Sequence, residues 1–167
     1  MSAALMIIDP QEGWRHWSVN DVLDRIPDFA KKFDGEIIVM RFINPPSSPF
    51  NRFLDWSNFA DEEEHKIIES YKSLRAHEFM HQTYGCLTPE VEEFLTSKNI
   101  DTVYLSGIFT DVCVAMTAMQ LFDSNREPFV ISDLVGTLHG NKVHDAALKS
   151  LGSIIGQRHT ITSDTLI

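Results

Sequence analysis

The sequence has few cysteines, few basic residues and no long apolar run, and each shortage excludes a class of protein. Its 167 residues include two cysteines, Cys86 and Cys113, which provide neither a disulfide framework nor a CxxC pair. No apolar run approaches the roughly 20 residues of a membrane-spanning helix. Lysines and arginines number 14 against 24 acids, and the formal net charge of −10 opposes binding to phosphate backbones. We therefore expect neither a membrane nor a nucleic acid as partner.

The remaining composition is that of an ordinary globular protein. Apolar residues make up 43% and charged residues 23% of the chain. This length suits one hydrophobic core, so we expect a single domain over residues 1–167. The first apolar residues end at once in Asp9, which predicts no signal peptide. We expect a cytoplasmic protein with both thiols reduced.

Short apolar runs alternate with amphipathic segments along the chain. Residues 4–8 form a continuous apolar run, typical of a strand that is buried on both faces. Further strands are predicted at residues 36–42, 76–81, 102–105, 128–131 and 159–162. Helices are predicted at residues 20–33, 88–98, 110–124 and 141–151, and Pro27 predicts a kink or a break in the first. This alternation, without hairpin signals, indicates a three-layer α/β/α fold with a doubly wound, mainly parallel sheet.

The segment between the second and third strands differs from the rest of the chain. Residues 44–60 read as a loop-like insertion that contains several prolines and the aromatic residues Phe50, Phe53, Trp56 and Phe59. The acidic run at residues 61–64 is predicted to be the solvated first turn of a helix. The insertion therefore follows the end of a strand, where α/β proteins place their binding sites.

One cysteine occupies a position that suits a nucleophile. Cys113 lies between the strand at residues 102–105 and a predicted helix. Free N–H groups and the dipole at a helix N-terminus favour a thiolate, so this position predicts a lowered pKa and a reactive thiol. Asp9 ends the first strand, and the topology is expected to bring the two residues together. The alternatives are a buried apolar cysteine and an aspartate that only forms a turn.

Three stretches together match a known pattern. Residues 9–14 are Asp-Pro-Gln-Glu-Gly-Trp, residues 106–114 are Ser-Gly-Ile-Phe-Thr-Asp-Val-Cys-Val, and residues 131–133 are Ile-Ser-Asp. They resemble the D-x-Q-x-x-[FW] start, the G-x-x-T-x-x-C-V nucleophile turn and the V-x-D strand end of the isochorismatase-like cysteine hydrolases. That superfamily includes nicotinamidases and N-carbamoylsarcosine amidohydrolases. The resemblance covers nearly the whole chain.

The resemblance implies a catalytic triad of aspartate, lysine and cysteine, with one departure. Asp9 takes the place of the general base and Cys113 that of the nucleophile, but the lysine position falls on His81. His81 either replaces the charge or hydrogen bond of the lysine, or the triad is broken. The resemblance also implies an oxyanion hole formed by the backbone N–H groups of Phe109 and Cys113, with a cis peptide bond before Phe109. Cys86 is interpreted as a core residue.

Substrate-binding residues are also suggested. By resemblance, Gln11, Trp14 and the aromatics of the insertion, including Trp56, are candidates for the pocket wall. The alternative for these aromatics is a place in the core or in a subunit contact. Arg41 lies near the end of the second strand and is a candidate for binding a substrate carboxylate or amide. The stretch at residues 41–46 lacks the D-x-H metal ligands of nicotinamidases. We therefore expect no metal and no organic cofactor, and the missing ligands argue against nicotinamide as the substrate.

The function expected from the resemblance is hydrolysis of a small amide or carbamoyl-type C–N bond through a thioester on Cys113. Two alternatives stay open. The protein is either a weak or inactive member that binds a small ligand or partner, or a vinyl-ether hydrolase like isochorismatase itself. The resemblance further implies a homo-oligomer, either a dimer or a tetramer.

Overall fold

A six-stranded parallel sheet forms the centre of the protein. The computed structural model describes residues 2–166. The strands are β1 (Ser2–Ile8), β2 (Glu36–Phe42), β3 (Ala76–His81), β4 (Ile100–Ile108), β5 (Glu127–Gly136) and β6 (Thr160–Ile161). Their order is β3-β2-β1-β4-β5-β6, and every adjacent pair is parallel. The predicted parallel sheet is confirmed.

Helices cover both faces of this sheet. They are α1 (Asn20–Ala30), α2 (Pro49–Leu54), α3 (Glu62–His65), α4 (Pro89–Ser97), α5 (Ala115–Asp123) and α6 (Asn141–Ile155). Side chains alternate along β1, so Leu5 and Ile7 pack towards α1 whereas Met6 and Ile8 pack towards α4, α5 and α6. The two apolar clusters on either side of the sheet give the predicted three-layer α/β/α fold.

The strand order changes direction at β1, which makes the carboxyl edge of the sheet a suitable place for a binding site. From β1 the chain proceeds outward to β2 and β3, and then returns to β4 on the other side of β1. In parallel sheets the crevice at such a switch point opens at the carboxyl ends of the strands. Asp9 follows β1 there, and the segment that carries Cys113 follows β4.

The predicted break at Pro27 is wrong. The helix α1 continues through Pro27 to Ala30, one turn beyond it. A proline removes the hydrogen bond to the carbonyl four residues earlier, here that of Leu23. The hydroxyl group of Tyr71 donates to this carbonyl at 2.6 Å and replaces the missing backbone donor. A residue 44 positions further along the chain from Pro27 therefore allows the helix to continue.

Other element boundaries differ from the sequence-based prediction by a few residues. Strands β4 and β5 are longer than expected, and the insertion contains the short helix α2. The predicted Thr88 cap of α4 is confirmed, because its side chain accepts from the Val91 N–H. Residues 110–114 form a π-helical turn before α5. No helix in residues 2–166 combines the length and apolar character needed to cross a bilayer.

Gly107 permits the close approach of β4 to β1. Its φ is +103°, and a Cβ atom there would lie 2.1 Å from the Ile8 carbonyl oxygen. Gly140 provides a matched comparison, because its φ is +90° but no atom lies within 4 Å of its Cβ position. The two glycines share a positive φ that side chains disfavour, and they differ in the space around the Cβ position.

We predict that Gly107→Ala lowers the free energy of unfolding by about 3 kcal/mol or more, since it adds a backbone clash to the conformational cost. Gly140→Ala should cost only about 1 to 2 kcal/mol, the conformational cost alone. Urea unfolding followed by circular dichroism measures both variants. Equal losses would show that the contact between Gly107 and Ile8 does not constrain the sheet.

Candidate active site

Asp9 is a buried carboxylate at the end of the central strand. Its side chain is 2% exposed, and its backbone N–H donates to the Met40 carbonyl at 3.1 Å. Its φ of 55° turns the chain away from β1, in a conformation that aspartate tolerates better than most residues. Oδ1 of Asp9 lies 2.7 Å from Nε2 of His81. Two members of the predicted triad therefore meet, although 72 residues separate them.

His81 has acceptors at both ring nitrogens. It ends β3, and its Nδ1 lies 2.7 Å from the Thr83 carbonyl oxygen, which only accepts. Nδ1 therefore carries a hydrogen, and Nε2 shares a proton with Asp9. The sulfur of Cys86 lies 3.6 Å from the same nitrogen. Burial lowers the pKa of His81, but Cys86 and Asp9 outweigh it and hold the pKa well above its usual value.

Cys113 lies in the turn that joins β4 to α5, and it lines the same cavity as Asp9. The sequence-based expectation of a lowered thiol pKa is wrong. Burial, the negative charge of Asp9 and the neighbouring Cys86 raise the pKa of Cys113 well above its usual value. A hydrogen bond from the Phe109 backbone lowers the pKa but is the weaker effect. The raised pKa favours a Cys113 thiol beside the Asp9 carboxylate, rather than a free thiolate.

The turn before Cys113 has the backbone geometry that the resemblance implies. The peptide bond between Ile108 and Phe109 is cis. The carbonyl of Phe109 accepts from the N–H groups of Val112 and Val114, at 3.0 and 3.1 Å. The backbone of Phe109 is also the neighbour that lowers the pKa of Cys113, against the larger effects of burial and of Asp9. The turn thus holds the backbone of Phe109 close to Cys113.

Two polar side chains of α5, which the sequence analysis missed, connect the parts of the site. Thr117 donates its hydroxyl to the Cys113 carbonyl at 2.7 Å and accepts from the Cys86 N–H at 3.1 Å. Gln120 accepts from the Leu87 N–H at 3.2 Å. Cys86 is buried in the core as predicted, but it also contacts His81. These contacts fix the loop after β3 against the helix that follows the nucleophile.

An apolar cavity of about 370 Å³ opens beside Asp9 and Cys113. Its other lining residues are Trp14, Phe42, Phe50, Leu54, Trp56, Tyr84, Ile108, Phe109, Val112, Leu138 and His139. Trp14 is central to the aromatic wall and stacks on Phe59 at 3.9 Å between ring centroids. Its ring also meets those of Trp56 and Phe109, at 6.0 and 4.9 Å. The structure therefore places two of the four predicted substrate-binding residues, Trp14 and Trp56, in the wall.

Gln11 and Arg41 do not line this cavity. Gln11 is fully buried, and its amide donates to the Phe42 and His65 carbonyls and accepts from the Phe42 N–H. Arg41 belongs to β2, so its side chain leaves the strand on the face opposite to that of Phe42. It pairs with Glu78 and lines a different depression. Both assignments to the substrate pocket are corrected on these grounds.

The insertion is organised by a buried amide. Asn44 donates to the carbonyls of Trp56 and Asn58, at 3.0 and 2.8 Å. Its oxygen accepts from Ser48 and from Asn51. These bonds hold Trp56 against the cavity and leave Asn44 no free group for a ligand. Within residues 2–166, no three His, Cys, Asp or Glu side chains are arranged as metal ligands.

Comparisons with known proteins agree with this architecture. The family model described as the isochorismatase domain matches residues 3–163. No curated protein matches the chain. An isochorismatase-like hydrolase from Alkaliphilus metalliredigens superposes with a TM-score of 0.84 at 16% identity, over 99% of this chain and 97% of that one.

Two amidases share the fold to a similar degree. A nicotinamidase/pyrazinamidase from Bacillus subtilis gives a TM-score of 0.83 at 17% identity, over 97% of this chain and 100% of its own. An N-carbamoylsarcosine amidase from Thermoplasma acidophilum gives 0.81 at 18% identity, over 98% of both chains. At these identities the structures establish a shared fold. Because the family model matches nearly the whole length, the resemblance drawn from the sequence is confirmed and the chain belongs to the isochorismatase family of hydrolases.

Proposed function

We propose that the protein hydrolyses a small amide through a thioester on Cys113. The observation that supports this most is the pairing of a buried carboxylate with His81, beside a cysteine that opens onto an apolar cavity. A thiol is a weak nucleophile until a base accepts its proton, and Asp9 is placed to do so. The amidases that share the fold make an amide C–N bond the preferred target.

Acylation proceeds in two stages. The Cys113 sulfur attacks the carbonyl carbon while its proton passes to Asp9, and the carbonyl oxygen becomes an oxyanion. Backbone N–H groups of Phe109 and Cys113 stabilise the oxyanion, each contributing about 3 to 4 kcal/mol in comparable sites. The C–N bond then breaks, Asp9 returns the proton to the leaving nitrogen, and ammonia or an amine departs.

Deacylation uses the same carboxylate. Asp9 accepts a proton from a water molecule that attacks the thioester, and the carbon–sulfur bond breaks. The proton on Asp9 returns to the sulfur and restores the thiol. The net reaction consumes one water and one amide and releases a carboxylic acid and an amine. No redox change and no further co-reactant are needed.

His81 takes the place of the family lysine in this proposal. Both ring nitrogens face acceptors, so an imidazolium ion satisfies both and supplies a positive charge to the Asp9 carboxylate. The positive charge keeps the carboxylate stable in a buried site, where an unpaired charge would be costly. The raised pKa of His81 is consistent with this charge at neutral pH.

The cavity favours a flat, apolar acyl group. Indole and phenyl rings dominate its wall, and Arg41, the cation expected to bind substrate, faces elsewhere. A ring that binds there gains from stacking and from burial of apolar area. We therefore expect an aromatic amide such as benzamide to be a better substrate than acetamide.

We predict that His81 is an imidazolium ion at neutral pH. Because its pKa is raised, the charge should persist as the pH rises through the ordinary value of about 6.5, and be lost only above the higher folded value. A long-range proton–nitrogen NMR spectrum should show both ring nitrogens protonated. Asp9→Asn should convert the ring to the neutral form at the same pH.

A carboxylate elsewhere provides the control for this measurement. Asp133 accepts from Ser163 and is remote from His81 in its contacts, so Asp133→Asn should leave the His81 signals unchanged. A neutral imidazole in the unaltered protein at neutral pH would contradict the assignment of His81 to the lysine's role.

We predict that the protein releases ammonia from benzamide and forms an acyl-enzyme. Cys113→Ala should abolish release, and Asp9→Asn should lower kcat by about 100-fold or more, because proton transfer contributes that much. Mass spectrometry after acid quench should find the benzoyl group on the peptide containing Cys113. N-carbamoylsarcosine and acetamide complete the panel.

Cys86 serves as an internal control, since its peptide should carry no acyl group. Activity that survives Cys113→Ala would exclude the thioester route and favour chemistry of the vinyl-ether type. Binding of benzamide without ammonia release by the unaltered protein would identify a non-catalytic member instead.

A further inference from the structure

A second aspartate–histidine pair lies at the mouth of the cavity, apart from the pair formed by Asp9 and His81. Nδ1 of His139 lies 2.6 Å from Oδ2 of Asp111. His139 lines the cavity with a side chain that is 50% exposed, whereas Asp111 is 16% exposed. The carboxylate of Asp111 is therefore mostly buried, whereas the imidazole of His139 is accessible from the cavity.

Three contacts fix the position of this imidazole. Asp111 belongs to the same π-helical turn as Cys113, so the nucleophile and the anchor are held by one backbone segment. The His139 ring meets the Phe109 ring edge-on, at 5.5 Å between centroids. The backbone N–H of His139 donates to the Thr137 hydroxyl oxygen at 3.2 Å and holds the main chain that carries the ring.

The Asp111 contact determines which ring nitrogen is available. Burial raises the pKa of Asp111, but the neighbouring Thr137 hydroxyl and the hydrogen bond with His139 outweigh it and lower the pKa overall. An ionised carboxylate only accepts, so Nδ1 carries the hydrogen. Within residues 2–166, Nε2 of His139 has no hydrogen-bond partner. The nitrogen that faces away from the anchor is thus free for a ligand.

The rest of the cavity wall has few polar groups, so the imidazole of His139 is important for recognising a polar substituent on a ligand. Apart from Asp9 and Cys113, the polar atoms of the lining side chains are the indole N–H groups of Trp14 and Trp56, the Tyr84 hydroxyl and His139. The indole nitrogens only donate, whereas Nε2 of His139 accepts when the ring is neutral and donates when it is charged. A hydroxyl on a substrate can do both in return. A hydroxyl therefore pairs with His139 in either protonation state.

We propose that His139 is a specificity-determining residue that binds a hydroxyl substituent on the flat acyl group of the substrate. The preferred substrate class is then a hydroxylated aromatic amide, with Asp111 as the positioning residue for the imidazole. This inference rests on the proposed function for the identity of the reacting group, but the binding preference itself requires no chemistry.

Binding to the Cys113→Ala variant tests the proposal without turnover. Titration calorimetry compares benzamide with its 2-, 3- and 4-hydroxy isomers. At least one isomer should bind about tenfold more tightly than benzamide, as one added hydrogen bond allows. Adding His139→Phe should remove this preference, so that benzamide and its hydroxy isomers bind with about equal affinity, while the ring contact with Phe109 is kept.

Three further variants separate the role of His139 from a structural one. Asp111→Asn retains an acceptor for Nδ1 and should keep the preference, whereas Asp111→Ala should lose most of it. Tyr84→Phe removes the competing hydroxyl and should have no effect on the preference. Circular dichroism confirms that each variant is folded.

Several outcomes would overturn the proposal. They are equal affinities for all four amides, no measurable binding of any, an equal loss for all ligands in His139→Phe, or loss of the preference in Tyr84→Phe. Turnover by the unaltered enzyme is measured separately. Hydroxyl-selective binding without ammonia release would uphold this inference while contradicting the proposed hydrolysis.

Discussion

The contact between Asp9 and His81 is the interaction on which the site depends. A carboxylate that is 2% exposed requires a partner, and the imidazole supplies one at 2.7 Å. The Thr83 carbonyl accepts the hydrogen of Nδ1 on the other side of the ring, so the proton at Nε2 faces Asp9. His81 ends the edge strand β3 and reaches the carboxyl end of the central strand β1 from there.

The fold supplies the remaining constraints. The order of the strands places β1 beside β4, and the close approach at Gly107 brings the turn after β4 towards the end of β1. Thr117 then links the Cys113 turn to the loop after β3, because its hydroxyl donates to the Cys113 carbonyl and accepts from the Cys86 N–H. Stability and chemistry therefore depend on the same few contacts at the carboxyl edge of the sheet.

Sequence patterns predicted the parallel sheet, and the motifs around Asp9 and Cys113 predicted the family. Some expectations failed because they depended on contacts between distant residues. The helix through Pro27 depends on Tyr71, and the pKa of Cys113 depends on burial and on Asp9, which outweigh the local effect of a helix start. Arg41 was assigned to the pocket by its position in the chain, whereas strand alternation directs it to Glu78. The pairing of Asp111 with His139 has no signature in residue spacing.

The most direct test of the central claim is the rate at which iodoacetamide alkylates Cys113, with Cys86 as the internal reference. If Asp9 accepts the thiol proton during the attack and His81 sustains the Asp9 charge, Asp9→Asn and His81→Gln should each slow the reaction about tenfold. For Asp9→Asn this loss should outweigh the gain in thiolate that follows when the negative charge next to Cys113 is removed. The double variant should be no slower than Asp9→Asn, because residues that act as a unit are not additive. His81→Lys should restore the rate lost in His81→Gln. A faster reaction in Asp9→Asn would contradict the account, since it would show that the carboxylate only opposes ionisation of the thiol.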